Sequence, residues 1–163
     1  MDVNLNDVYK PIPFVSEVCE SLKYLAETLG KVNLSPAYQR GSVWTLEQRE
    51  NFLGHLMQGG EVAPLIVQRK VSGPDGKEEM IDGKQRAEAI LAWLSGVVGA
   101  RLDDGSLVMR GDVVVGLGRV EIRIRYVDLP WAKRVRYYAR LNSAGTPHTQ
   151  EQIVAALSAK ESP

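Results

Sequence analysis

A chain of 163 residues, 44% hydrophobic and 25% charged, has the size and composition of one globular domain that needs no metal or disulfide staple. Its 20 basic and 20 acidic residues cancel, which excludes a global field that would draw nucleic acid from a distance. No apolar run approaches the roughly 20 residues of a membrane span, and the start Met1-Asp2-Val3-Asn4 has neither the charge nor the apolar stretch of a secretory leader, so a cytoplasmic protein with no membrane partner is expected.

Val15, Val18, Leu22, Leu25 and Leu29 recur three or four apart and Gly30 follows, which predicts one amphipathic helix from Val15 to Leu29. Residues 1–31 are read as an N-terminal helical segment and 32–163 as one globular unit. The lone Cys19 falls inside that helix as a buried small hydrophobe and forms no internal disulfide. Val32 to Ser35 is extended ahead of Pro36, and Pro36 to Trp44 reads as an ordered loop. Thr45 and Gln48 have the spacing of a capping box, opening a second helix through Phe52, Leu53, Leu56 and Met57 that stops at Gly59-Gly60. His55 on that helix and the distant His148 lack the ligand spacing of a zinc site. Residues 65 to 81 form a predicted hairpin around the turn Gly73-Pro74-Asp75-Gly76. A third helix runs from about Lys84 to Ser95, burying Ala87, Ile90, Leu91 and Leu94, and closes at Gly96. Turns at Asp104-Gly105 and Gly111-Asp112 separate short β pieces. Val120, Ile122, Ile124 and Tyr126 alternate with charged residues as a strand with one buried face. The next helix has Pro130 in its first turn and Trp131, Val135, Tyr138 and Leu141 on one side, and a loop follows from Asn142 to Pro147. Thr149 to Gln152 is a second capping box, opening a final helix through Ile153, Val154 and Leu157.

The junction Ile81-Asp82-Gly83-Lys84-Gln85-Arg86 carries the most chemistry. A helix start leaves amides without intrahelical acceptors and presents the positive end of the helix dipole, while Lys84 and Arg86 add formal charge there. Phosphate suits such a place. An equally open reading makes Asp82 a plain N-cap with Gln85 completing a capping box. Tyr38-Gln39-Arg40 with Trp44 is a second polar segment placed where sites form, and Gln39 and Arg40 either face a ligand or tie a loop to the body. From Arg119 to Arg140 seven basic residues meet two acidic ones. Solvated faces are the commoner meaning of such a run, and a basic groove for a nucleic-acid backbone is the other.

Taken in order, Pro36-Ala37-Tyr38-Gln39-Arg40 with Trp44, Ala63-Pro64-Leu65-Ile66, Asp82-Gly83-Lys84-Gln85-Arg86, and Arg140-Leu141-Asn142-Ser143-Ala144-Gly145-Thr146 resemble the DGQQR-motif domain of GmrSD-type modification-dependent restriction nucleases, a branch of the ParB/sulfiredoxin superfamily. The likeness covers about Val32 to Leu157. It implies a compact α+β domain, a small mixed sheet packed with helices, whose groove binds a nucleotide, with NTP hydrolysis or DNA nicking among the superfamily's activities. On that resemblance Asp82 and Arg86 are the catalytic pair, with Asp82 holding Mg2+ or a water. Tyr38, Gln39, Arg40, Gly83, Lys84, Gln85, Arg86 and Asn142 bind the nucleotide, and Arg123, Arg125, Arg134, Arg136 and Arg140 face DNA. Two departures stand out: Lys84 replaces the first glutamine of the motif, and the separate His-rich nuclease domain into which GmrSD-type enzymes continue is not expected within these 163 residues; sulfiredoxin chemistry is not expected either, since no cysteine occupies the turn where that branch carries its own. Two rival readings keep the fold and change the role. One is a non-enzymatic module with a vestigial site that binds a protein effector; the other is a DNA-binding adaptor.

Overall fold

The structure, a computed structural model, describes residues 14–39, 41–69 and 77–143, with only the backbone described at Asn142 and Ser143. The segment predicted as one helix divides in two: β1 is Phe14–Ser21 and α1 is Leu22–Gly30. Leu22, Leu25 and Leu29 are buried as the periodicity requires, but Val15 and Val18 are exposed on a strand. Tertiary pairing overrides the helical spacing, because β1 finds a full antiparallel partner near the end of the chain and Glu17 meets Arg125 across it. Cys19, expected inside a core helix, is therefore exposed on an edge strand.

After β2 (Val32–Asn33) the chain loops to α2 (Leu46–Met57), whose predicted capping box is present: Thr45 accepts from the Gln48 amide while Gln48 accepts from the Thr45 amide. Thr45→Ala removes one of these bonds and is expected to cost about 1 kcal/mol, read as a lowered denaturant midpoint with an unchanged slope. β3 (Leu65–Gln68) and β4 (Glu78–Asp82) form the expected antiparallel hairpin, and its turn lies outside the described residues. α3 (Lys84–Leu94) follows directly. It buries Ala87, Ala89, Ile90 and Trp93, whereas Leu91 and Leu94 reach only the core edge. β5 (Ala100–Arg101) and β6 (Leu107–Val108) make a separate two-stranded sheet around Asp104-Gly105, and a 3-10 turn spans Arg110–Asp112.

β7 (Glu121–Val127) and α4 (Trp131–Ser143) complete the described chain. Pro130 stands just before α4 and not within it, its carbonyl accepting from Lys133 and Arg134. The helix also continues through Asn142 and Ser143, where a loop was expected. The predicted helix beyond Thr149 lies outside the described residues. Gln68 pins the turn into α4, accepting from the Leu129 amide at 2.9 Å and donating to Asp128 at 3.0 Å.

The main sheet has the order β1-β7-β3-β4-β2, mixing parallel and antiparallel pairs. One face carries a core of Leu22, Leu25, Leu53, Val67, Met80, Ile90, Trp93 and Ile124 beneath α1, α2 and α3. On the other face Ile66, Ile81, Val127, Val135, Tyr138 and Tyr38 pack beneath α4. This is the compact α+β arrangement expected. No helix among the described residues is long and apolar enough to cross a membrane.

Candidate functional site

The register of β3 on β4 slips by one residue: Val67 opposes Met80, but Ile66 opposes Asp82. Such a bulge sets Ile81 and Asp82 together against Ile66 at the end of β4. The next residue, Gly83, has φ +101°, and a Cβ there would stand 2.4 Å from Leu65 Cδ2. The positive φ is what calls for glycine, and the close neighbour is a side-chain methyl of Leu65 on β3.

Asp82 does not cap α3, and the alternative capping box is absent: the N-cap is Gly83, without a side-chain bond. Asp82 instead accepts from Arg86 Nη2 at 2.8 Å. Arg86 Nη1 donates to the carbonyls of Ala63 and Pro64, so its guanidinium spans the entrance of β3 and the exit of β4. Gln85, read from sequence as a nucleotide contact, turns outward from the helix start. Its Oε1 accepts from the Val43 and Trp44 amides and from Ser42 Oγ, each at 3.0 Å. Lys84 Nζ donates to Ser35 Oγ at 2.8 Å and stands 3.9 Å from Glu88.

The loop from Pro36 to Trp44 is thus fastened to the junction from two sides, because Gln39 Nε2 donates to the carbonyls of Met80 and Ile81 beside the bulge. Tyr38 goes the other way: it is 3% exposed, edge-on to Trp131 and Tyr138, and its hydroxyl donates to Glu79 at 3.3 Å. Burial, and then the Glu79 charge, push its phenol well above the ordinary tyrosine range, with Arg134 opposing them. The ring has no open face for a base. Trp44 likewise packs on Phe52 at 5.3 Å. Arg40 lies outside the described residues, as does the side chain of Asn142.

The five arginines assigned to DNA do not form one groove. Arg134 is 3% exposed and pairs with Glu79 at 2.8 Å, so it has no surface to offer a nucleic acid. Arg125 pairs with Glu17 at 2.7 Å and Arg123 with Glu61 at 3.4 Å. Arg136 and Arg140 are exposed on α4. A tyrosine missed in the sequence, Tyr137, lies half-buried under the fields of both Arg125 and Asp82. Nothing in the spacing of α4 marks it, since its neighbour Tyr138 fits the buried face. Only the pairing of β7 and β4 through β3 brings the two charges near one phenol.

Among the described residues no group of three His, Cys, Asp or Glu side chains could hold a metal ion. Asp82 is a single carboxylate, 30% exposed. That donor set fits a magnesium ion that arrives on a phosphate chain and takes one carboxylate from the protein, and not a resident ion in a protein cage.

The family described as GmrSD restriction endonuclease, N-terminal domain, matches residues 24–126, more than half of the chain. The matched span contains the junction and the loop that braces it, and it ends before α4. Among solved structures, a Pnob8-like ParB-N domain aligns with a TM-score of 0.45 and 15% identity over 91% of this chain. The alignment spans 45% of that structure's chain. A comparison with curated proteins finds no match.

Proposed function

The chain belongs to the GmrSD restriction endonuclease N-terminal domain family, and from that premise we propose that it binds a nucleoside triphosphate at the Asp82 to Arg86 junction. The observation that carries the reading is Arg86: a guanidinium held between Asp82 and two carbonyls, beside the amides that head α3. A phosphate chain entering there meets a planar donor fork together with the N–H groups of Gln85 and Arg86. Gly83 and Gln39 support the site by fixing its backbone, and Gln85 supports it by holding the loop across from α3. Bound with the nucleotide, magnesium would neutralise phosphate charge, with Asp82 as its protein ligand. Asp82 has two partners to choose between, Arg86 and the incoming cation, and the exchange leaves Arg86 for the phosphate. Hydrolysis and a coupling to DNA in a restriction system belong to the same proposal, and the exposed Arg136 and Arg140 are the residues that support contact with a DNA backbone.

ATP, GTP and CTP titrated with and without Mg2+, followed by phosphate release, test the reading. Saturable binding of at least one of them, tightened by Mg2+, is the expected result. No binding of any of the three sinks it.

A further inference from the structure

The loop from Ser35 to Trp44 is fastened to the first turn of α3 at both of its ends. Lys84 Nζ donates to Ser35 Oγ at 2.8 Å, and Gln85 Oε1 accepts from Ser42 Oγ and from the Val43 and Trp44 amides, each at 3.0 Å. Glu88 is four residues beyond Lys84 and three beyond Gln85, spacings that put the three side chains on one side of the helix. Its Oε1 stands 3.9 Å from Lys84 Nζ. Arg86 leaves the helix on another side, toward the carbonyls of Ala63 and Pro64. Glu88 therefore lies on the loop side of α3, between the two tethers and about one helical turn, ~5.4 Å, from the amides that head the helix.

That carboxylate is only half satisfied. Its side chain is 25% exposed, yet Oε2 is buried and has no hydrogen-bond partner among the described residues. The Lys84 ammonium faces Oε1 and leaves Oε2 without a donor. A buried acceptor in that state carries a desolvation cost, larger for a charged group than for a neutral one. An apolar side chain would fill the same place without it. What this side of the junction lacks is a donor, and phosphate groups seated at the amides of Gln85 and Arg86 bring only acceptors. The part of a nucleotide next to its phosphates is the sugar, whose hydroxyls donate, and the two oxygens of a carboxylate suit such a pair.

We infer that Glu88 accepts hydrogen bonds from the sugar hydroxyls of a nucleotide whose phosphates are held at the Asp82 to Arg86 junction, the carboxylate turning to bring Oε2 out to the ligand. The inference rests on the nucleotide-binding reading above and adds to it the residue that recognises the nucleoside half. The bare alternative is an ion pair with Lys84 that only stiffens the start of α3. The tightest binder of ATP, GTP and CTP, its dideoxy form, which lacks both sugar hydroxyls, and tripolyphosphate are titrated into wild type, Glu88→Ala and Arg86→Ala. Preference among the three ligands is a ratio, so it does not depend on the fraction of a variant that is folded. Wild type is expected to favour the ribonucleotide over its dideoxy form by about tenfold or more, the worth of a hydrogen bond to a charged group. Glu88→Ala loses that preference and holds tripolyphosphate no more weakly than wild type does. A preference that survives in Glu88→Ala, or a wild type that shows none, while Arg86→Ala weakens all three ligands, overturns this inference and leaves the nucleotide reading standing. Wild-type protein that binds none of the three overturns both.

Discussion

Arg134→Met is expected to lower the stability of the fold by about 3–5 kcal/mol, the cost of leaving one half of a buried ion pair without its partner. Arg134 enters the interior from α4 and meets Glu79, whose side chain is 15% exposed, at 2.8 Å. Its second terminal nitrogen donates to the Leu129 carbonyl at 3.4 Å, and its guanidinium stands 5.4 Å from the Trp131 ring centre. With the guanidinium gone, Glu79 keeps only the Tyr38 hydroxyl among the described residues. The pair itself is an expensive way to fill the space: Nε of Arg134 is buried with no hydrogen-bond partner among the described residues. Replacing both residues with methionine should therefore recover most of the loss. Denaturant titration of the two single variants and the double variant checks this. A loss below about 1 kcal/mol in Arg134→Met, or a double variant worse than the sum of the singles, contradicts the account. Glu79 lies three residues before Asp82 on β4, so the same pair fixes α4 against the strand that delivers the site.

Arg86→Ala should weaken nucleotide binding by about 1.5–3 kcal/mol, the worth of a hydrogen bond to a charged group, or roughly tenfold to more than a hundredfold in affinity. Asp82→Asn should act in the opposite direction when no divalent cation is present. It removes a negative charge beside the phosphate and releases Arg86 from its 2.8 Å partner. For unit charges 4 Å apart in water that is about 1 kcal/mol, near fivefold tighter binding. With Mg2+ the sign reverses, because the carboxylate that would ligate the ion is gone, and the gain from Mg2+ shrinks. Titrations of both variants in EDTA and in Mg2+ read these effects. Asp82→Asn weakening the metal-free binding would show that the carboxylate serves the ligand directly and does not hold Arg86 in reserve.

Local signals in the chain led to most of the elements, and pairing at a distance explains what they missed. The Thr45 and Gln48 box, the β3 to β4 hairpin, α3 and the alternation of β7 are all encoded within a few residues of where they act. β1 is not: Val15, Val18 and Leu22 satisfy a helical period, and only Arg123, Arg125 and their neighbours, a hundred residues on, make the segment a strand. Family membership was legible because the loop, junction and strand motifs come in a recognisable order. The side-chain roles within them were less so. Tyr38 and Gln39 are adjacent, yet one enters the core and the other braces the bulge. Gln85 has capping-box spacing from Asp82 but is taken up by three donors of the preceding loop. Arg134 sits in a run of basic residues and is nevertheless interior, since the helix period turns it toward Glu79. A charge run gives composition; which member is buried depends on the facing strand.

The central claim is that phosphate is held at the start of α3. The most direct measurement is an amide-resolved NMR titration of the 15N-labelled chain with tripolyphosphate. Saturable shifts at Gly83, Gln85 and Arg86, sharing one dissociation constant and lost in Arg86→Ala, are the result the account predicts. Saturation with those amides unmoved, or with shifts confined to the cleft lined by Asn51, His55, Gln58 and Arg101 at the other end of α2, would contradict it.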